Sequence, residues 1–562
     1  MSDSNLDITF NNPLGYVIKQ YGGSTTGFSV VIDNKKRIVV TGDTTDTDGE
    51  VSMFTTRYLA DGKIDNDYFG GNITKLNTPG KNTVGRSVAI DSEYRIVVTG
   101  DMYDSDSGTN YNMFIARYLP NGNLDTSFAG GVITKQYTPG RDTSGISVAI
   151  DSDDSIVVTG YTVYDTDTDK RSMFITRYLS DGTLDNNFDG GVIFEQYTSG
   201  KDTSGQSVAI GINDTIVVTG ATIDNNDIYS MFITRYLFNG QIDPNFGNNG
   251  VTKYTNNKFT GGFSVAIDSI GRIVVTGVTG ESNIINSMFI TRYSPDGKID
   301  SSFSGGFITK EYTIGGINIG YSVAIDSIDR IVVTGTTGVF TGVFGNEDTV
   351  SMFITRYLPN GTLDTSFSGG FIIKQYIPGK PTGGFSVAID SSNRIVVTGV
   401  TDDNTGTGSM FITRYLEYGN SEPICLPAGT PIVTDQGIVA IEQIDTKVHT
   451  INHRRIVAVT TTITPEKNLV CFEANSMGIN CPSKRTTMTP GHEVLYNGKL
   501  VQAKHFVGRV EGVHTIPYNG KDVLYNVLQE KHGLMRVNNM VLETLHPENK
   551  VAKEILKKRY LQ

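Results

Sequence analysis

The pentapeptide Ile-Val-Val-Thr-Gly occurs seven times, starting at Ile38, Ile96, Ile156, Ile216, Ile273, Ile331 and Ile395, with spacings between 57 and 64 residues. A period of this length means that one supersecondary unit is copied along the chain. Each copy follows a Ser-Val-Ala-Ile-Asp-like run (Ser29, Ser87, Ser147, Ser207, Ser264, Ser322, Ser386) and precedes a Met-Phe-Ile-Thr-Arg-Tyr-like run (Met53, Met113, Met173, Met231, Met288, Met352, Met410). β-Branched and aromatic residues dominate all three, so they read as strands. A segment of the form Asn-Gly-x-Leu-Asp-x-x-Phe then supplies the expected fourth strand. Its Asp/Asn-Gly pair (Asp61-Gly62, Asn121-Gly122, Asp181-Gly182, Asn239-Gly240, Asp296-Gly297, Asn360-Gly361) is a hairpin-turn signal.

One four-stranded sheet cannot bury both of its faces, whereas seven set radially pack face to face around an axis. The predicted architecture is all-β, a seven-bladed β-propeller. The ends of the repeat region offer a check: the Leu-Asp-x-x-Phe segment stands before the first unit (Leu6, Asp7, Phe10) and is missing after the last. The N-terminal strand is therefore expected to complete the last blade, which removes two exposed sheet edges. These repeats resemble the delta-sixty propeller repeats of bacterial and viral proteins, over about residues 6–416.

The rest of the chain has a different chemistry. All seven histidines (His449, His453, His492, His505, His514, His532, His546) and all three cysteines (Cys425, Cys471, Cys481) follow residue 424. Formal charge divides as −17 for residues 1–424 and +5 for the remainder, −12 in all, which speaks against a nucleic-acid binder. The predicted organisation is a propeller over 1–416, a linker over 417–424 and a second, smaller all-β domain over 425–562. General acid–base, nucleophilic and soft-metal chemistry draws on His and Cys, so the second domain is where chemistry is expected.

Within the propeller, the Arg of each Met-Phe-Ile-Thr-Arg-Tyr run (Arg57, Arg117, Arg177, Arg235, Arg292, Arg356, Arg414) and the Asp of most Ser-Val-Ala-Ile-Asp runs (Asp33, Asp91, Asp151, Asp268, Asp326, Asp390; Gly211 interrupts the series) recur in nearly every unit. Recurrence marks structural pairs or solvated positions rather than one ligand site. The loops between second and third strands vary and are acidic (Asp46, Asp48; Asp104, Asp106; Asp165, Asp167, Asp169; Asp224, Asp227; Asp402, Asp403). None matches a complete calcium-loop signature. They are read as solvated loops, with a protein or glycan partner on that face as the alternative.

The second domain opens Cys425-Leu-Pro-Ala-Gly429-Thr430-Pro-Ile-Val-Thr434-Asp-Gln-Gly437, then Ile441-Glu442-Gln-Ile444. Further on come Thr489-Pro-Gly-His492, Val523-Leu-Tyr-Asn-Val-Leu, and Val537-Asn-Asn-Met-Val-Leu. In this order the blocks resemble those of Hedgehog/intein (Hint) domains, and the wording of the tail resembles the Hint domains of giant viruses that infect amoebae. A cysteine at a domain's first position can attack the preceding carbonyl, here that of Ile424, converting the Ile424–Cys425 peptide bond into a thioester. The departing nitrogen then needs a proton, a task for His492 as general acid with Thr489 as hydrogen-bond donor. The resemblance thus implies autoprocessing, with residues 1–424 as the released or transferred part. No cofactor is expected, and the acceptor of the acyl group is left open.

Splicing inteins close with His-Asn before a nucleophile, and Glu543-Thr544 stand there instead, which argues against full splicing. Ile424 is β-branched and crowds its carbonyl. A zinc site on the cysteines is not expected, since no Cys-x-x-Cys or His-x-x-x-His spacing is present. Cys471, in Leu-Val-Cys-Phe, reads as core; Cys481, before Pro482, reads as a loop residue and a candidate second thiol; His532 and His546 read as structural. Val551, Ile555 and Leu556 lie at helical spacing and predict a short C-terminal helix. Two other functions compete: a non-catalytic structural or virion component with a degenerate Hint scaffold, and a carboxylate-based hydrolase in the propeller channel. The first residues lack a secretory leader pattern and no run is long enough to span a bilayer, so a cytoplasmic location is expected.

Overall fold

A computed structural model describes residues 5–545 apart from 77, 164–169, 255–257, 282–285, 340–349, 404–406, 417–423, 463–467, 497 and 520. The chain divides into two compact units, Met1–Gly419 and Asn420–Gln562. The acidic loop carrying Asp165, Asp167 and Asp169, the linker core, His546 and the expected C-terminal helix lie outside the described residues.

Among the described residues, the first unit holds seven four-stranded antiparallel sheets in a β-propeller arrangement. In the first sheet the strands are Thr25–Ile32, Ile38–Thr45, Val51–Tyr58 and Thr74–Leu76, paired in that order. The sheet at the end of the repeats takes Thr382–Ile389, Ile395–Asp402 and Gly408–Tyr415 from the last unit, and its outer strand is Tyr16–Lys19 from the N-terminus. Met53 and Phe54, adjacent on one strand, point to opposite faces and are both fully buried: Met53 packs with Val98 and Phe114 of the next sheet, Phe54 with Val396 and Met410 of the last. An apolar run without alternation is what a strand covered on both faces requires, and each such side chain contributes about 1.5–3 kcal/mol by its burial.

A polar ring accompanies this packing. Ser29 Oγ accepts the Val88 N–H, Ser87 that of Val148, Ser147 that of Val208, Ser207 that of Val265, Ser264 that of Val323, Ser322 that of Val387, and Ser386 that of Val30, all at 3.1–3.3 Å. The last bond returns to the first sheet. The repeated glycine has a steric cause: the innermost strand bulges between Gly27 and Ser29, and a Cβ on Gly42 would stand 1.8 Å from the Thr26 carbonyl oxygen.

One expectation is corrected. The Leu-Asp-x-x-Phe segment is not the fourth strand. It forms a single bridge (Tyr58 to Ile64, Tyr118 to Leu124) and a turn, and the outer strand is the short run after it, such as Val132–Lys135. The reason lies in its Asp and aromatic residue, which are committed inward: Arg57 Nε donates to Asp65 at 2.7 Å and its guanidinium lies 4.9 Å from the Tyr68 ring. The repeated Arg and the Asp of Ser-Val-Ala-Ile-Asp do enter structural pairs, chiefly with different partners, although Arg177 also reaches Asp151 at 3.8 Å. The equivalent partners are Arg117–Asp125, Arg177–Asp185, Arg235–Asp243, Arg292–Asp300, Arg356–Asp364 and Arg414–Asp7. The other Asp series makes its own pairs four residues on, Asp33–Arg37, Asp91–Arg95, Asp268–Arg272, Asp326–Arg330 and Asp390–Arg394.

The second unit is also built of strands. One sheet runs Leu426–Pro427, Leu524–Gln529, Arg454–Thr462, Thr450–Ile451; a six-stranded sheet includes Met540–Glu543 beside Glu493–Tyr496; a third runs Thr486–Met488, Asn468–Phe472, Val513–Pro517. Its core gathers Leu426, Ile432, Val470, Phe472, Met488, Val527, Met535 and Leu542. Among the described residues, no helix is long and apolar enough to cross a membrane.

Candidate active site

Leu426 is directly opposite Tyr525 in the antiparallel pair that begins the second unit. That register sets the Ile424–Cys425 peptide beside Asn526, the polar residue of the Leu-Tyr-Asn-Val-Leu-Gln strand. Asn526 is buried, its carboxamide Nδ2 donates a hydrogen bond to the Ile424 carbonyl oxygen, and its Oδ1 accepts the Val527 N–H at 2.8 Å. The second contact uses the amide oxygen and leaves the nitrogen aimed at Ile424.

The other end of the same bond is held by Thr489, which follows the strand Thr486–Met488. Its hydroxyl accepts the Cys425 N–H at 2.8 Å, and its own N–H donates to the Cys425 carbonyl at 3.0 Å. The Thr489 hydroxyl thus accepts from the Cys425 nitrogen and also donates to the Cys425 carbonyl oxygen at 3.4 Å. Ile424 packs with Val457, Leu528 and Leu545, and Cys425 with Leu469 and Leu524. Both ends of the bond are thus enclosed by apolar side chains and touched by two polar ones.

His492 stands across a tight turn from Thr489, with its N–H bonded to the Thr489 carbonyl at 3.1 Å. It is completely buried. Its Nε2 lies 3.2 Å from the Glu543 carbonyl oxygen, which makes Nε2 the protonated nitrogen of the neutral ring, and Nδ1 has no hydrogen-bond partner. Burial holds the imidazole below its ordinary pKa, partly offset by the Glu543 carboxylate and by the Glu543 and Cys425 backbone. Burial also pushes the Cys425 thiol up to about 12. Cys425 is therefore a thiol at neutral pH, and the neutral His492 imidazole lies beside its backbone.

Around these residues the structure places the other candidates apart. Glu543 accepts the Glu493 N–H at 3.1 Å and faces His532 Nε2 at 3.2 Å, so His532 belongs to a support layer behind His492. Thr544 Oγ1 accepts the Gly533 N–H at 3.0 Å. Cys471 is buried in the third sheet, and Cys481 in a loop directs its thiol to the Asn539 carbonyl at 3.7 Å. In the propeller, Asp46 and Asp224 spend carboxylate oxygens on their own turns, and Asp104 pairs with Lys81. Asn526 was the residue that sequence reasoning passed over. A lone amide in an otherwise apolar strand was the available signal.

Comparisons with known proteins agree with this division. Residues 424–549 match the family model of the Hint domain, and residues 36–68, 95–128, 152–188, 271–303 and 329–367 match a β-propeller family described as a domain of unknown function. No curated protein matches the chain. Similar solved structures include a protein of unknown function from Dyadobacter fermentans (13% identity, covering 60% of this chain and 100% of that one, TM-score 0.38). A polysaccharide lyase, an ulvan lyase bound to a GlcA(1-4)Rha3S saccharide (10%, 72% and 96%, 0.40), and the Trypanosoma rangeli sialidase (8%, 93% and 84%, 0.35) are also similar.

Proposed function

With a Hint domain following a β-propeller as the premise, we propose that the second unit is an autoprocessing module acting on the Ile424–Cys425 bond. The observation that supports this reading is that one buried peptide bond is gripped from both sides, Asn526 on the carbonyl oxygen of Ile424 and Thr489 on the N–H of Cys425. A purely structural bond would more simply be satisfied by backbone groups.

In the proposed reaction His492 Nδ1 takes the Cys425 thiol proton, and Sγ attacks the Ile424 carbonyl carbon. The Asn526 amide stabilises the oxygen as negative charge develops there. The proton passes from His492 to the Cys425 nitrogen, the C–N bond breaks, and an Ile424 thioester on Cys425 Sγ remains beside a free Cys425 amine. Atoms and charge balance without any co-reactant. Water, an amine, a hydroxyl or a second thiol then accepts the acyl group and frees the propeller, which serves as a binding or structural head. For that role a cavity of about 700 Å³ is available where Ser155 stands in the position of Arg37 and its equivalents, lined by Asp151, Asp181, Asp214, Arg177 and Phe238.

A scaffold reading draws on the raised thiol pKa and the apolar surroundings of Cys425. The intact mass of freshly purified full-length protein, with and without hydroxylamine or a small thiol, separates the two. A fragment ending at Ile424 that is absent in Cys425→Ala is the expected result; a full-length chain inert to nucleophiles across the pH range makes the second unit a scaffold.

A further inference from the structure

We propose that Cys471, Glu473 and His514 form a binding site for a soft divalent cation, of which Zn²⁺ best suits the donors, separate from the Ile424–Cys425 site. Cys471 on Asn468–Phe472 is directly opposite His514 on Val513–Pro517, and Glu473 follows two residues after Cys471, so alternation along the strand brings all three to one face. Cys471 Sγ lies 3.6 Å from Glu473 Oε1, and that oxygen lies 3.7 Å from His514 Nε2. The three donor atoms lie within 4.8 Å of one another. Tetrahedral Zn²⁺ with bonds of about 2.0–2.3 Å sets its ligand atoms about 3.3–3.5 Å apart, so the two pairs made by Glu473 already stand within a few tenths of an ångström of that spacing, and closing the third draws the exposed His514 ring toward the sulfur.

A cation already occupies this place. Arg485 Nε is 2.9 Å from Cys471 Sγ and 3.5 Å from Glu473 Oε1, and its side chain is 55% exposed. The guanidinium covers the buried sulfur and neutralises the carboxylate, and it can swing into solvent because it is long and exposed. On metal binding the Cys471 S–H bond breaks, the proton goes to solvent, an S–metal bond forms, and water fills the fourth position. Spacing rules do not reveal such a site because its donors come from two strands far apart in sequence. Cys471 also pairs with Thr487, two residues before Thr489.

The test is titration of tag-free, full-length protein with Co²⁺, followed by Zn²⁺ displacement. A thiolate-to-cobalt charge-transfer band saturating at one equivalent is expected, retained in Cys425→Ala and Cys481→Ala and lost in Cys471→Ser. The exposed variants guard against misfolding: His514→Ala is expected to weaken binding tenfold or more, and Arg485→Ala to tighten it severalfold by removing the competing cation. No thiolate band in Arg485→Ala, or a band that survives Cys471→Ser, overturns the proposal.

Discussion

The two units put buried polar groups to different uses. In the propeller each buried charge is satisfied by the repeat itself: Arg356 is fully buried, yet it has Asp364 at 2.8 Å and lies over the Phe367 ring. In the Hint unit, Thr489, His492 and Asn526 are as deeply buried but converge on a single peptide bond, and His492 Nδ1 is left without a partner. Buried hydroxyls without a hydrogen-bond partner, such as Ser230 Oγ, occur in the propeller as well, so it is the convergence of polar side chains on one peptide bond that marks where a reaction can draw a proton.

The strongest way to break that comparison is to remove one partner from a satisfied pair. Arg414→Ala leaves Asp7 buried without its cation in the sheet that joins the two ends of the propeller, where both side chains are about 97% buried. A loss of about 3–5 kcal/mol is expected in the propeller's denaturant transition. Arg235→Ala, at a pair whose Arg side chain is 16% exposed, is expected to cost less. Equal losses would mean that ring closure adds nothing to the pair.

In the other unit, Asn526→Ala is expected to slow thioester formation by about 10²–10³-fold, as for loss of one oxyanion donor, with the fold retained. Hydroxylamine-induced cleavage followed by mass reads this rate. An unchanged rate would reassign Asn526 to structure.

Acidity sharpens the contrast next. The His492 pKa is lowered in the folded state, so below the ordinary imidazole value of about 6.5 the unfolded chain binds more protons. The stability contributed by its neutral burial is present above that pH and declines as the pH falls through the lower folded value. For Cys425 the sign reverses: with the thiol raised to about 12, stability is present below the ordinary thiol value of about 8.5 and declines as the pH rises toward 12. Denaturation midpoints of the Hint transition in wild type and His492→Gln across pH check the acid limb, which the variant lacks.

The smallest effect belongs to the serine ring. Ser386→Ala strands the Val30 N–H and is expected to cost about 1 kcal/mol of propeller stability by denaturant midpoint.

What the sequence made legible follows from repetition. Ile-Val-Val-Thr-Gly and its flanking runs were readable as strands because each of seven copies presents the same apolar pattern. The Leu-Asp-x-x-Phe segment misled because its Asn-Gly turn is a local signal, whereas the pull of Arg57 on Asp65 is a tertiary one. The three nameable site residues, Cys425, Thr489 and His492, stand in recognisable blocks. Asn526 becomes meaningful only through the register of Leu426 against Tyr525, and Cys471 meets His514 only across strands. Neither pairing leaves a mark in local spacing.

The N-terminal strand has a mechanical consequence. Because Tyr16–Lys19 lies outside Gly408–Tyr415, the strand leading toward residue 424 is laddered on both flanks. Tension applied from the C-terminal side is met in shear by two rows of bonds, whereas an edge strand would peel one bond at a time. Severing the chain after Ile424 leaves every strand of the propeller in place, and a circular permutant that joins the two ends and opens another loop should retain the same ring.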